Sequence, residues 1–258
     1  MATRDTNWPE GTPCWVDLGV PDIERAATFY TAVFSWTIPE GSPETGGYRV
    51  ATLKGLNVAG IGPKMGPPDA PTMWLTYLAT DNADAAADRI KGAGGQVVMD
   101  PMDVMEHGRM LVAIDPVGAP FGLWQGRRHT GAGLVNDQGA QTWNEHFSRD
   151  IEASKAFYHA VFGYEYADMG GEGFTYATFK VGGKDVGGMG EYPADVPGST
   201  QPGWSVYFGA TDTDATVARV IGEGGSTLRE AENSPYGRLA TVTDDQGAVF
   251  SIISVGGS

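Results

Sequence analysis

The chain has 258 residues, room for one large domain or two ordinary ones, and its 41% hydrophobic and 10% aromatic content suffices for sizeable packed cores. Thirty-two acidic against 17 basic residues leave a net charge of -15, which repels nucleic acid and an anionic membrane surface; the one basic pair, Arg127-Arg128, is too short to reverse that field. A single cysteine, Cys14, excludes an intrachain disulfide and a cysteine-based zinc knuckle, and with neither an apolar leader nor a membrane-length apolar run the expectation is a cytoplasmic protein.

In chain order, CWVDLGV alternates with the period of a half-buried strand, so Trp15 and Asp17 share one face. Asp22 then caps IERAATFYTAVF, whose apolar spacing predicts a helix. Residues 48–53 and 57–61 read as two strands of a hairpin around Lys54-Gly55-Leu56. After a Gly/Pro-rich connection at 62–72 the order restarts: TMWLTYLAT as a strand, DNADAAADRIKGAGG as a helix with a glycine stop, then QVVMDPMDV, RMLVAID and PFGLWQ as strands. A second copy follows. Trp15 superimposes on Trp143, Asp22-Ile23-Glu24 on Asp150-Ile151-Glu152, Phe29-Tyr30 on Phe157-Tyr158, Tyr77 on Tyr207, and Asp115 on Asp244. This places a first domain at 10–126, a linker at 127–141 and a second domain at 142–256, each built of two βαβββ-type modules.

The segments DIERAATFYTAVFSW, GRMLVAIDPVGAPFGLWQ and GAGLVNDQGAQTWNE, with the four-module pattern, resemble the vicinal oxygen chelate superfamily: the glyoxalase, bleomycin-resistance and extradiol-dioxygenase fold. The resemblance implies an α+β protein of tandem vicinal oxygen chelate domains, its four modules forming two open barrels, each around a small-molecule cavity. It also implies, for metal-containing members, four His or Glu ligands converging on a divalent ion that acts as a Lewis acid. Carried over position by position, those ligands fall on Trp15, Leu75, Gly60 and Gly122 in the first half, and on Trp143, Ser205, Gly188 and Ser251 in the second. No metal-binding set results, so the expectation is a protein without metal or other cofactor. Whether module 1 pairs with 2 and 3 with 4, or 1 with 4 and 2 with 3, is open, and the linker does not decide it.

Strand parity then assigns the cavity walls: Trp15, Asp17, Leu75, Tyr77 and Trp124 in the first half, and Trp143, Glu145, Ser205 and Tyr207 in the second, with the glycines leaving room. Aromatic walls with a few acids suit a planar, hydrophobic ligand. The alternative for the tryptophans is simple core packing, and for Asp17 and Glu145 a structural role. His107, before a cavity strand, is the best-placed histidine for proton transfer; His129 is expected in solvent beside Arg127-Arg128, and His146 on the helix side. Arg109 and Arg238 are expected to orient loops, and Cys14 to be a small buried hydrophobe. Two main functions follow: metal-free binding or sequestration of an aromatic metabolite or antibiotic such as an aromatic polyketide, by a monomer or homodimer; or a metal-independent enzyme with Asp17, Glu145 or His107 as general base. A metal-dependent lyase or dioxygenase is a third reading.

Overall fold

The structure, a computed structural model, describes residues 2–67 and 70–256. The first half comprises β1 (Ala2–Thr3), β2 (Pro13–Val20), α1 (Ile23–Phe34), β3 (Arg49–Leu53), β4 (Leu56–Pro63), β5 (Met73–Ala79), α2 (Ala83–Gly92), β6 (Gln96–Val104), β7 (Gly108–Ile114) and β8 (Pro120–Gly126). β9 (Leu134–Val135) lies in the linker and pairs with β1. The second half comprises β10 (Gln141–Ser148), α3 (Ile151–Phe162), β11 (Glu165–Asp168), β12 (Tyr176–Val181), β13 (Lys184–Glu191), β14 (Gly203–Ala210), α4 (Thr213–Gly222), β15 (Ser226–Ser234), β16 (Gly237–Thr243) and β17 (Val249–Ser254).

Local chemistry sets these boundaries. Asp22, Asn82, Asp150 and Asp212 each cap a helix by accepting a hydrogen bond from the backbone N–H three residues on. The β3–β4 hairpin turns on two residues, Lys54 and Gly55, both at positive φ; Leu56 already pairs with Leu53. Such a two-residue turn twists with the strands it joins. The halves differ at one place: where the second has β11, the first has only a bridge between Thr37 and Thr52. Residues 38–47, IPEGSPETGG, carry two prolines and three glycines that disfavour a strand there.

Each half is one mixed sheet. The orders are β3-β4-β2-β5-β8-β7-β6 and β11-β12-β13-β10-β14-β17-β16-β15. At the centre of each, the leading strands of its two modules pair antiparallel, with Asp17 opposite Leu75 and Glu145 opposite Ser205. Modules 1 with 2, and 3 with 4, therefore share a sheet and one helix-free face.

The other face of each sheet is apolar and carries the helices. Val16, Leu18 and Val20 of β2 join Phe29, Tyr30 and Phe34 of α1 in a core completed by Val206, Phe208, Val217, Val220 and Phe250 of the second half. A second core likewise unites α2, β7 and β8 with α3, β12 and β13. The pairings left open by the sequence thus both occur, on opposite faces: 1 with 2 across the sheet, 1 with 4 through the helices.

Two buried polar clusters bridge the halves. Tyr30 donates to Asp244 Oδ2 at 3.0 Å and accepts from Trp74 Nε1 at 3.2 Å; Tyr158 donates to Asp115 Oδ2 at 3.2 Å and accepts from Trp204 Nε1 at 2.9 Å. Each aspartate's other oxygen takes two backbone N–H groups of its own turn, so the buried carboxylates are well satisfied. His146, fully buried on the helix face, adds its Nε2 at 2.8 Å from Asp115. The repeated Phe-Tyr and Asp motifs thus tie one half to the other.

Candidate functional site

On the helix-free face of the first half, Trp15, Leu75, Tyr77 and Trp124 pack together. Asp17 sits among them as an acceptor hub. Trp15 Nε1 donates to its Oδ1 at 2.7 Å and Tyr48 Oη at 2.6 Å, and the Tyr77 hydroxyl adds a further bond. Burial raises the Asp17 carboxyl above the ordinary range, and these three donors offset only part of that. Cys14, beneath the same cluster, is buried and its thiol is pushed up, so it packs as an inert hydrophobe.

The second half repeats the hub with Glu145. Tyr176 donates to Oε1 and Tyr207 to Oε2, both at 2.6 Å, and Trp143 Nε1 reaches the Tyr176 hydroxyl at 3.1 Å. Glu145 is 8% exposed and its carboxyl is raised by burial, against the lowering effect of Tyr176, Tyr207 and Trp143. Burial and the facing carboxylate also push both tyrosines well above their ordinary range, leaving them as neutral donors.

Tyr48 and Tyr176 were not among the residues expected here. Tyr48 falls one residue before β3 and Tyr176 at the start of β12, at equivalent places in the repeat, which is the signal that could have found them. They also correct the expectation that glycines leave room. A Cβ at Gly60 would overlap the Tyr48 hydroxyl and Asp17, one at Gly188 the Tyr176 hydroxyl, and one at Gly122 the Tyr77 ring. The space is filled by tyrosine.

Of the two histidines nearest this face, His107 lies in the loop expected for it and His129 does not. His107 is exposed on the turn between β6 and β7, where its carbonyl accepts from Arg127 N and His129 N, each at 3.0 Å. His129 is not in solvent. Its ring stands edge-on to Trp15 with centroids 4.4 Å apart and lies 5.3 Å from Trp124, whose Nε1 donates to the His129 carbonyl at 2.7 Å. Burial, with the neighbouring charge of His107, lowers this imidazole to about 4, so it is neutral near pH 7. The neighbouring arginines do face solvent, paired with Asp103 and Glu106. Arg109 and Arg238 bind Asp84 and Asp214 in the first turns of α2 and α4, and so anchor turns to helices.

The linker therefore lies over the first face, joined by Trp8, and the gap left beside Trp8, Cys14 and Trp124 is about 10 Å³, space for one water. Trp15 is 2%, Tyr77 4% and Trp124 7% exposed. Their counterparts Trp143, Tyr207 and Ile253 are only partly buried. The second face also gains rings the first lacks: Phe147, Phe174 and Tyr192 stand where the first half has Gly19, Gly46 and Lys64. Tyr192 stacks on Phe147 at 5.7 Å, and Phe174 on Tyr176 at 5.5 Å. A cavity of about 310 Å³ lies elsewhere, between the halves, bordered by Phe34, Lys54, Asp137 and Val255.

Residues 14–124 and 145–252 both match the model of the Glyoxalase/Bleomycin resistance protein/Dioxygenase superfamily. The chain belongs to that superfamily. It is 41% identical over 258 residues to the "Putative glyoxylase CFP32" of Mycobacterium tuberculosis, covering 97% of each chain. It is 38% identical to the "Anthracycline biosynthesis protein DnrV" of Streptomyces peucetius, covering 97% of this chain and 95% of that one. Among solved structures, the Mn(II)-bound glyoxalase from Novosphingobium aromaticivorans superimposes with a TM-score of 0.68 at 15% identity, over 95% of this chain and 82% of that one. The 2,3-dioxygenase LapB from Pseudomonas sp. KL28 gives 0.66 at 11% identity, over 99% and 94%. At such identities the superposition establishes the fold alone.

The metal of the superfamily's metalloenzymes does not fit these residues. One indole, a leucine and two glycines stand at the first half's ligand positions, and hydroxyls of Ser205 and Ser251 are the only donors at the second's. Among the described residues no three His, Cys, Asp or Glu side chains converge. In each half a carboxylate with two tyrosines and a tryptophan gathers the face instead. No described helix is long and apolar enough to cross a membrane.

Proposed function

We propose that this protein binds a planar, hydrophobic aromatic metabolite on the helix-free face of its second half, without a metal, in secondary metabolism. The observation that carries the reading is the run of partly exposed rings Trp143, Phe147 and Tyr207, backed by the buried Tyr176, around the buried Glu145. Flat π-faces give a planar ligand large contact area with few rotors to immobilise, and a small set of polar groups at the centre orients it. Similarity to proteins named for anthracycline biosynthesis favours a polycyclic aromatic ligand.

Titration of the purified protein with an aromatic polyketide such as an anthracyclinone tests it. Saturable quenching of tryptophan fluorescence, lost in Trp143→Ala, is expected; absence of saturable quenching by any planar ligand rejects it. Elemental analysis after native purification should give well under one metal per chain, and a stoichiometric metal would reject the metal-free part.

One observation favours a second reading, general acid–base catalysis. Glu145's carboxyl is raised by burial toward the working range of a proton-transfer group. In that case Glu145, oriented by the Tyr176 and Tyr207 hydroxyls that donate to its two oxygens, would take the proton from a bound carbonyl compound or phenol, and burial would favour the neutral acid that results. Asp17 lies under Trp15 and the linker, and His107 on an exposed turn, so neither is placed for this role. Turnover abolished in Glu145→Gln with binding retained would establish the enzyme; retained turnover would remove Glu145 as the base.

A further inference from the structure

The first face already holds an aromatic ring: the chain's own imidazole. His129 stands between Trp15 and Trp124, and its Nδ1 lies 3.5 Å from Asn57 Nδ2 at the head of β4. Every group around it has a partner by register in the second half. Trp15 corresponds to Trp143, Trp124 to Ile253, and Asn57 to Asp185, since Asn57 pairs with Thr52 as Asp185 pairs with Lys180. Replacing the Trp124 indole by Ile253 removes most of one wall. Val50 and Leu75 become Thr178 and Ser205, and no described residue is recorded in ring contact with Trp143.

Building on the proposed binding reading, we infer that the chain carries one ligand site rather than two: His129 is the resident occupant of the first face, and the equivalent place beside Trp143 seats an aromatic ring bearing a hydrogen-bond donor on the edge facing Asp185. The polarity of that donor follows from the swap of Asn57 for Asp185. An amide can donate to a ring nitrogen, whereas a carboxylate only accepts, so the ring it faces must present O–H or N–H. Asp185 Oδ1 accepts from Thr178 Oγ1 at 2.6 Å, and Oδ2 has no recorded partner. A phenol or an aromatic amine fits; a bare hydrocarbon or an aryl ether does not.

The test uses full-length protein labelled with 5-fluorotryptophan, signals assigned by single Trp→Phe variants, and two probes of equal shape, 2-naphthol and 2-methoxynaphthalene. In the wild type 2-naphthol should shift the Trp143 signal and leave Trp15 unmoved, and it should bind about tenfold tighter than the ether. Asp185→Asn should erase that preference by weakening 2-naphthol alone. Asp185 is exposed, so this variant does not threaten folding. In His129→Gly, free imidazole should shift the Trp15 signal saturably, an arm that does not depend on any ligand of the second face. Movement of Trp15 by naphthol in the wild type, or no response of His129→Gly to imidazole, overturns the resident-occupant assignment. Equal binding of both probes, or an unchanged preference in Asp185→Asn, overturns the donor rule while leaving the binding reading intact. If neither probe moves any tryptophan signal, the binding reading itself falls.

Discussion

Replacing Tyr207 by Phe removes one of the two hydroxyls on Glu145 and keeps the ring. In the folded protein Glu145 is raised above its ordinary 4.5 by burial, so the native state holds its proton more tightly than the unfolded chain. Stability from this group is therefore complete at low pH and declines as pH rises from about 4.5 toward the higher native value. A hydrogen bond to the ionised carboxylate is worth about 1.5–3 kcal/mol, and one to the neutral acid about 1 kcal/mol. Tyr207→Phe should then destabilise by about 2 kcal/mol at pH 8, roughly 4–8 °C in Tm for a chain of this size, and by about half that at pH 4. It should also raise the Glu145 carboxyl further. Thermal unfolding at the two pH values reads the first effect, and carbon-13 carboxyl titration of labelled glutamate reads the second. Glu145 titrating with exposed glutamates in both proteins would refute the hub as described.

Other consequences can be measured in the same way. Tyr158→Phe strips Asp115 of a donor and leaves buried Trp204 Nε1 without its acceptor, so urea unfolding should show a loss of about 2–4 kcal/mol; Tyr30→Phe, its counterpart at Asp244, should lose a similar amount. Gly188→Ala forces a Cβ into the Tyr176 hydroxyl and should destabilise by about 1–3 kcal/mol while releasing Tyr176 from Glu145, visible as an altered Glu145 titration. His129 is lowered in the native state from 6.5 to about 4, so its contribution is present above pH 6.5 and is lost as pH falls toward 4. His129→Asn should remove that slope, worth at most about 3 kcal/mol between urea melts at pH 7 and pH 4.

Much of the architecture was legible in local sequence, because caps, alternation and internal repetition are local signals. Asp22 and Asp150 marked helix starts, CWVDLGV put Trp15 and Asp17 on one face, and the superposition of Trp15 on Trp143 exposed the duplication. The positions to which the resemblance carries the metal ligands could be read residue by residue, and they fall on Trp15, Leu75, Gly60 and Gly122 and their repeat mates. Tyr48 and Tyr176 were legible in principle as a repeated pair, but nothing local says that such a tyrosine reaches past an intervening strand to a carboxylate.

What covers a face is another matter. Strand parity tells which side chains share a side, and says nothing of which distant segment lies over them. The sequence placed His129 in a polar linker beside two arginines; only the path of the chain, held by the His107 carbonyl and by β1 against β9, turns its ring between Trp15 and Trp124. The same limit hid the pairing of modules, since a duplicated unit offers identical apolar and aromatic faces to every copy. Hydrogen bonding of β2 to β5 fixed one pairing, and burial of the helix faces between the two sheets fixed the other. Composition and periodicity thus determined the modules and their chemistry. Long-range packing decided which face is closed and which is open, because that choice depends on where buried area accumulates once the whole chain has folded.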